Sequence, residues 1–534
     1  MRTFLNDRRL DIYEYPSGLS CSAYVAISYV WKGNPLVADP SSPSYWVEEL
    51  GTFSVKGAES GDPISLDVLY HTCSAALSCR YSGSYLWLDR LCIVQTSELD
   101  RAWQIRQMYD IYKRCKICCV LPGGIQRLVS LDEETTWIER AWTLQEVVAP
   151  YRSIVLFLAD EDQLEQLDLV RKRAIEPSCI TEIFSGLSAY GELRPLLKLA
   201  LASNDSPINV FGRKRAPIAA LYGATVLQVS HAYFEKDIKE QMIWRCALMR
   251  TSSRPVDMVF SIMGLLSVDL DPLQFDKGDR LKATIALASK KISYLGSKAS
   301  WLTAAYQLEP CRQISSFPLL PETSVDGKAI YINAESSGCC LPSTVSGRLV
   351  ADVVDELCDV NHYLIGLPEG TMDESGYLTF CGKAVSLVPV TVDVAAPLAR
   401  PADDTYSSRA VGNAEDVCVS AADGSMWQEC DDSMRAATSS IPSTIAVFLG
   451  KQASIGAMVE LDTPDSDSED DSLNWRERFG RWRLPEIALL IREHEPGKFH
   501  RVSYLKLPGG FSETFKAPRD MTISVGGPYR MASG

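Results

Sequence analysis

The chain has 534 residues, a hydrophobic share of 46%, a charged share of 23% and a formal net charge of −15. That length exceeds one ordinary core and points to about three domains, while the composition is that of a globular protein. A negative chain without an interleaved basic and aromatic patch excludes a general phosphate-backbone binder, so no nucleic-acid partner is expected.

Asp7, Arg8 and Arg9 stand where a signal peptide needs its apolar stretch, and no later apolar run approaches bilayer-spanning length. The expectation is a cytoplasmic protein without a membrane span. The 16 cysteines then read as reduced thiols, many of them inside apolar runs, as at Cys118, Cys119 and Cys246. Cys115 and Cys118 have C-x-x-C spacing without a companion pair, so no metal is expected. There is no P-loop, no G-x-G-x-x-G after a strand and no G-x-S-x-G elbow, hence no sign of a bound cofactor.

In chain order, residues 1–20 read as a short strand pair leading in, with Leu10, Ile12 and Tyr15 as its apolar positions. Tyr24–Val30 (YVAISYV) is a β-branched and aromatic run stopped by Trp31, Lys32, Gly33, Asn34 and Pro35, the pattern of a buried strand ending in a loop. Ser65 can cap a helix whose stripe is Leu66, Leu69, Tyr70, Cys73, Ala76 and Leu77. Tyr85–Leu88 is the next short strand, with Trp87 assigned to the core and Asp89 and Arg90 at its carboxyl end.

A helix from about Asp100 to Arg114, a strand at Ile117–Leu121, a helix at Trp137–Val148 and a strand at Ile154–Ala159 follow. Strands and helices alternating in this way predict an α/β domain: a parallel sheet with helices on both faces and ligands beyond the carboxyl ends of its strands. Trp31, Asp89, Arg90 and Gly123 fall at that edge, and Trp142 and Glu146, one helical turn apart, share a face of the helix that starts from it. By residue type alone Trp142 serves equally as core or pocket wall. Asp89 reads as a loop cap or a polar ligand contact, with Arg90 or Arg140 as its ion-pair partner, and Tyr29 and Trp31 read first as packing residues.

Ala26–Trp31 (AISYVW), Leu86–Gln95 (LWLDRLCIVQ), Gln104-Ile105 with Met108 and Ile111-Tyr112, and Trp137–Glu146 (WIERAWTLQE) together resemble the successive motifs of the fungal heterokaryon incompatibility (HET) domain. Arg250–Leu265 (RTSSRPVDMVFSIMGL) resembles the segment that follows that domain in many such proteins. Lys32 departs from the family by separating Trp31 from Gly33, and Thr96 and Ser97 stand where an acidic residue is common. Val25–Tyr29 and the Trp-x-x-x-Glu of Trp142–Glu146 further resemble Toll/interleukin receptor (TIR) domains.

These resemblances imply fungal self/non-self recognition and programmed cell death, a homo-oligomer formed through the HET domain and an unidentified protein activator. The TIR resemblance implies a TIR-like fold in which Glu146 is the catalytic acid of an NAD hydrolase. Trp142, Asp89, Arg90, Trp31 and Tyr29 would then line the substrate site, with NAD as substrate rather than cofactor. Cleaving the nicotinamide–ribose bond builds positive charge on the sugar, and a carboxylate against the ribose stabilises that charge without a metal. A non-catalytic self-association module of the same fold is the alternative.

The expected organisation is a HET (TIR-like) domain at 1–160, a mainly helical region at 161–310 and a β-rich domain at 340–534. In the second, residues 218–233 and 236–250 carry the clearest helical patterns and Pro255 with Asp257 marks a helix start. In the third, Leu349–Val354, Tyr377–Cys381, Val385–Val392, Thr444–Leu449, Glu486–Ile491 and Val502–Leu507 read as strands of a sandwich or barrel. Pro397–Met434 reads as a long loop, and 462–472 (DTPDSDSEDDS) as a disordered acidic one.

Overall fold

The computed structural model describes residues 1–13, 24–36, 49–79, 85–159, 180–201, 210–212, 215–229, 236–295, 297–332, 347–357, 362–390, 418–430, 443–454 and 484–528. They fall into two compact units. The first comprises 1–235, 245–284 and 321–356, and the second 236–244, 285–320 and 357–534.

The first unit opens with a helix, α1 (Arg2–Asp7), closed by Arg8 in the left-handed conformation at φ 57°. Over residues 1–13 this corrects the expected strand pair: Phe4 is buried among residues of the core while Leu10 and Ile12 stay exposed, and Tyr15 lies outside the described residues. Its central sheet contains β1 (Tyr24–Tyr29), β4 (Tyr85–Trp87), β5 (Ile117–Leu121), β6 (Ser153–Leu158), β7 (Ile180–Phe184) and β8 (Ser188–Glu192). A small ladder of β2 (Thr52–Phe53) and β3 (Ile64–Ser65) stands apart. The sheet order is β4-β1-β5-β6-β8-β7. The first four strands pair in parallel, as expected, with Tyr29 opposite Leu121 and Cys118 opposite Ser153.

An antiparallel hairpin, β7 and β8, extends the sheet beyond β6. Those residues had been expected in a mainly helical stretch; they pair because β6 would otherwise present an open apolar edge. Trp87, assigned to the core, is only half-buried, since β4 is the outer strand. Its ring meets Tyr112 edge-on at 5.4 Å.

Two capped helices set the layers. Ser65 Oγ accepts the Val68 amide at 3.3 Å to start α2 (Leu66–Ser78). Ser97 Oγ accepts the Asp100 amide at 3.2 Å to start α4 (Glu98–Arg114), which follows the short α3 (Asp89–Cys92). Alternation along β1 then sorts its residues. Val25, Ile27 and Tyr29 join Val68, Leu69 and Cys73 in one core cluster. Ser28 projects to the opposite face, where Trp137 and Glu146 lie.

Trp137–Val148 is not one helix. Trp137–Glu139 is a 3-10 turn, Arg140 is extended at ψ 133°, and α5 is Ala141–Val148. The remaining helices of this unit include α6 (Leu193–Leu201), α7 (Arg215–Val229) and, after α8 (Lys236–Leu248), α9 (Asp257–Met263).

From Val350 on, the strand expected at Leu349–Val354 is instead a helix, Val350–Leu357. The second unit is rich in strands, as expected. Its nine-stranded sheet is antiparallel apart from one contact between Lys498–Leu507 and Arg519–Gly526. Val385, Leu387, Trp427, Leu490, Leu505 and Phe511 build one of its cores. Cys418–Ser420 and Met426–Glu429 pair as a hairpin within the stretch expected to be a loop, with Val419 and Trp427 buried. The acidic run 462–472 lies outside the described residues. No helix among the described residues is long and apolar enough to cross a membrane.

Candidate functional site

The carboxyl ends of β1 and β4 bring four of the expected residues together. Asp89 opens α3 just after β4, Tyr29 ends β1, and Trp31 lies two residues beyond it. Tyr29 Oη donates to Asp89 Oδ1 at 2.6 Å, Trp31 Nε1 donates to Oδ2 at 2.7 Å, and the Arg90 amide donates to Oδ1 at 2.6 Å. Both carboxylate oxygens of Asp89 are therefore engaged within the protein. Burial pushes Asp89 above its ordinary range, while these three donors and the Arg90 charge pull it back. Burial, with the adjoining Asp89, likewise raises the Tyr29 phenol.

Arg90 is fully buried and points away from Asp89. Its guanidinium donates to the carbonyls of Asp62 at 2.5 Å and Ala58 at 3.2 Å and lies 5.7 Å from the Trp31 ring centre, with Nε left unpartnered. It pins the 58–62 loop rather than pairing with the acid beside it. The turn around Lys32 is held as tightly: the Gly33 amide donates to Asp62 at 2.7 Å, and a Cβ on Gly33 would come within 1.9 Å of the Gly123 carbonyl. Only glycine permits that approach of the β1 and β5 loops.

Glu146 comes to the other face of β1 on α5. It is buried and bonded to Ser28, whose hydroxyl also accepts the Trp137 indole N–H at 2.9 Å. Its Oε2 has no hydrogen-bond partner. Burial raises the carboxyl to about 8; the Ser28 bond lowers it, the Asp89 charge raises it, and Arg140 and Arg250 lower it. The two carboxyl groups thus differ in kind. Three donors counter the burial of Asp89, whereas Glu146 has one and is pushed up to about 8, so the two surroundings push the carboxyl groups apart.

Trp142 does not join this cluster. It is half-buried and donates through Nε1 to Asp257 Oδ2 at 3.0 Å, at the start of α9. Arg140, weighed from the sequence as a structural ion-pair residue, lies close enough to Asp257, Glu146 and Asp89 to feel all three charges, although burial lowers its own pKa.

Ser28, Asp62 and Arg250 belong to the arrangement and were not singled out by sequence reasoning. Ser28 carried a signal as the one aliphatic hydroxyl in an otherwise apolar and aromatic strand. Arg250 lay inside a stretch noted for its resemblance, but with no chemistry attached. Among the described residues no group of three or more His, Cys, Asp and Glu side chains is placed to hold a metal ion.

Residues 24–128 match the family model of the heterokaryon incompatibility protein (HET). The match runs from β1 through β5 and includes Asp89 and Arg90, but it ends before Trp142 and Glu146. No curated protein and no solved structure matches the chain.

Proposed function

We propose that this HET-domain chain acts in self/non-self recognition of the heterokaryon incompatibility type and triggers cell death by hydrolysing NAD, with Glu146 as the reacting carboxyl. The HET match supports an incompatibility-type role. The observation that carries the chemistry is the Glu146 carboxyl, buried with one oxygen unpartnered and held near a pKa of about 8. A carboxyl so placed gains from an arriving cation. The pyridinium of NAD, and then the ribosyl cation formed as nicotinamide leaves, would favour its ionised form and be stabilised by it.

The roles divide accordingly. Glu146 faces the ribose and gives its proton to water as the positive substrate settles; Ser28 orients the carboxyl. Asp89, with Tyr29, Trp31 and Arg90, shapes the loops at the strand ends. Glu146 is closed in by its neighbours, so substrate access requires the loops at this edge to part. Assembly of several copies through this domain, driven by an activating protein in the cytoplasm, supplies that step in this reading. The likeness of Trp142–Glu146 to the Trp-x-x-x-Glu helix of TIR domains supports it.

The second reading is a non-catalytic self-association module of the same fold. The internal use of both Asp89 oxygens and the Trp142–Asp257 bond favour it, because each removes a group that a substrate site would offer.

Nicotinamide release by the full chain, at a protein concentration at which light scattering reports assembly, separates the two. The enzyme reading expects turnover that Glu146→Ala lowers by about a hundredfold or more while assembly persists. Equal release from both proteins, or none from the assembled wild type, sinks it.

A further inference from the structure

We infer that residues 250–257, far outside the HET-matched stretch, complete the candidate site, with Arg250 as a positioning residue that fixes the helix carrying Glu146 and sets a cation beside its carboxyl. The inference deepens the reading of Glu146 as the reacting group and rests on it.

The geometry begins with a helix that cannot start itself. α5 has eight residues, and its N-cap residue, Arg140, offers no side-chain cap. The 250–257 segment takes the place of a cap from more than a hundred residues away. The Ala141 amide, first of the helix, donates to the Thr251 carbonyl at 2.9 Å, and the Thr251 amide donates to the Glu139 carbonyl at 2.7 Å. Arg140 and Thr251 thereby form an isolated parallel bridge. Arg250, itself buried, donates through one guanidinium nitrogen to the Arg140 carbonyl at 2.9 Å and to Thr143 Oγ1 at 2.8 Å. Thr143 Oγ1 in turn donates toward the carbonyls of Trp137 and Arg140 at 2.7 and 2.8 Å. Asp257 closes the clip on the Trp142 indole.

These contacts decide where the 3-10 turn ends and α5 begins. Glu146 follows less than two turns later, so the register set at Ala141 sets the place of its carboxyl against Ser28. A 3-10 turn running straight into the helix would rotate that carboxyl away from β1.

The second contribution is electrostatic. Glu146 is bonded to Ser28 of β1 and lies within electrostatic reach of Tyr29 of β1, Asp89 of α3, Tyr112 of α4, Cys118 of β5, and the cations Arg140 and Arg250. Asp89 opposes ionisation of Glu146, and the two arginines favour it. Arg250 holds its charge although burial lowers its pKa to about 10. When Glu146 ionises, this guanidinium is already in place, so no counter-charge has to be brought into the interior.

The test uses the full chain as wild type, Arg250→Gln and Arg250→Lys, and follows the Glu146 carboxyl by 13C NMR of labelled glutamate. Its resonance is identified by its loss in Glu146→Gln. The charge role expects Arg250→Gln to move the Glu146 midpoint measurably upward and Arg250→Lys to leave it closer to the wild-type value. It also expects the pH–rate profile of nicotinamide release to move with it. A folded Arg250→Gln protein with an unmoved midpoint overturns the inference.

Should Arg250→Gln fail to fold, hydrogen exchange of Arg250→Lys decides. The clip requires faster exchange across 141–148, by about tenfold, since lysine cannot reach both acceptors with the same geometry. Unchanged protection there overturns the clip. A midpoint that moves in a protein releasing no nicotinamide at any pH upholds the clip and removes the NAD reading, so the two failures are distinct.

Discussion

Both units bury arginines over backbone carbonyls, but each also buries a glutamate, and the two glutamates are met differently. In the second, Lys291 Nζ and Glu240 Oε1 pair at 2.6 Å, almost wholly out of solvent, and Ser300 Oγ donates to the other Glu240 oxygen at 3.4 Å. Arg501 there spreads its guanidinium over the carbonyls of Tyr306, Leu308, Ser315 and Phe317. In the first unit Glu146 has a hydroxyl on one oxygen, nothing on the other, and a second carboxyl in its field. A charge met by an ion or a ring of carbonyls is held in the interior without an unmet partner. A carboxyl left half-satisfied costs stability, and the cost is explicable where the group must change state. The contrast is what marks the Glu146 surroundings as a site and those of Glu240 as structure.

Breaking the structural pair is expected to have the largest effect on stability. Lys291→Met strands Glu240 in the interior, and such single removals typically cost about 3–5 kcal/mol. Adding Glu240→Leu should restore most of that loss, since an apolar pair of similar volume needs no desolvation. Native-state hydrogen exchange of the strand Thr444–Ser454 reads both. If the single and double variants match, the pair is not what its geometry suggests, and the contrast with Glu146 weakens.

The next effect concerns Glu146 itself and has a definite sign. Its folded-state pKa of about 8 lies above the ordinary 4.5. The folded protein therefore binds a proton that the unfolded chain releases between these values. The resulting stabilisation is fully present below about pH 4.5, falls across the window and is gone above about pH 8, a change of a few kcal/mol at most. Glu146→Gln cannot lose that proton. Its stability relative to wild type should rise with pH across this window, as read by denaturant unfolding at matched pH. A flat difference would mean that Glu146 is ionised throughout, and the acid–carboxylate split with Asp89 would fall with it.

Much of the first unit was legible because its signals are local. The apolar run at Tyr24–Tyr29, the Ser65 cap and the glycine pair after Leu121 each specify their element from neighbouring residues. The break at Arg140 was hidden because WIERAW holds no proline or glycine; the break is imposed by Thr251 and Arg250 from over a hundred residues away. The hairpin at 180–192 was missed for a similar reason, its partner being the open edge of β6. In the site, the residue types at the strand ends were readable and their pairing was not. Asp89 and Arg90 look like an ion pair in sequence, yet the guanidinium turns to backbone carbonyls while the carboxylate takes an indole and a phenol. Nothing in a linear chain says which of two adjacent side chains will face the loop.

The smallest effect expected on stability is also the most informative about the pair of acids. In Asp89→Asn the side-chain oxygen can keep Tyr29 and the Arg90 amide, or it can keep Trp31. The first arrangement strands one donor and the second strands two, so the first is expected, at a cost of about 1–3 kcal/mol. The same substitution removes the negative charge that opposes ionisation of Glu146, a stronger influence on that carboxyl than either arginine. Its midpoint should therefore fall below about 8 and move opposite to its shift in Arg250→Gln, although both variants lose buried hydrogen bonds. General loosening would shift the two variants the same way, because admitting water lowers a carboxyl raised by burial whichever residue was changed. Opposite shifts in the 13C titration would show charge coupling across β1. Parallel shifts would mean that the carboxyl senses only how well its surroundings exclude water.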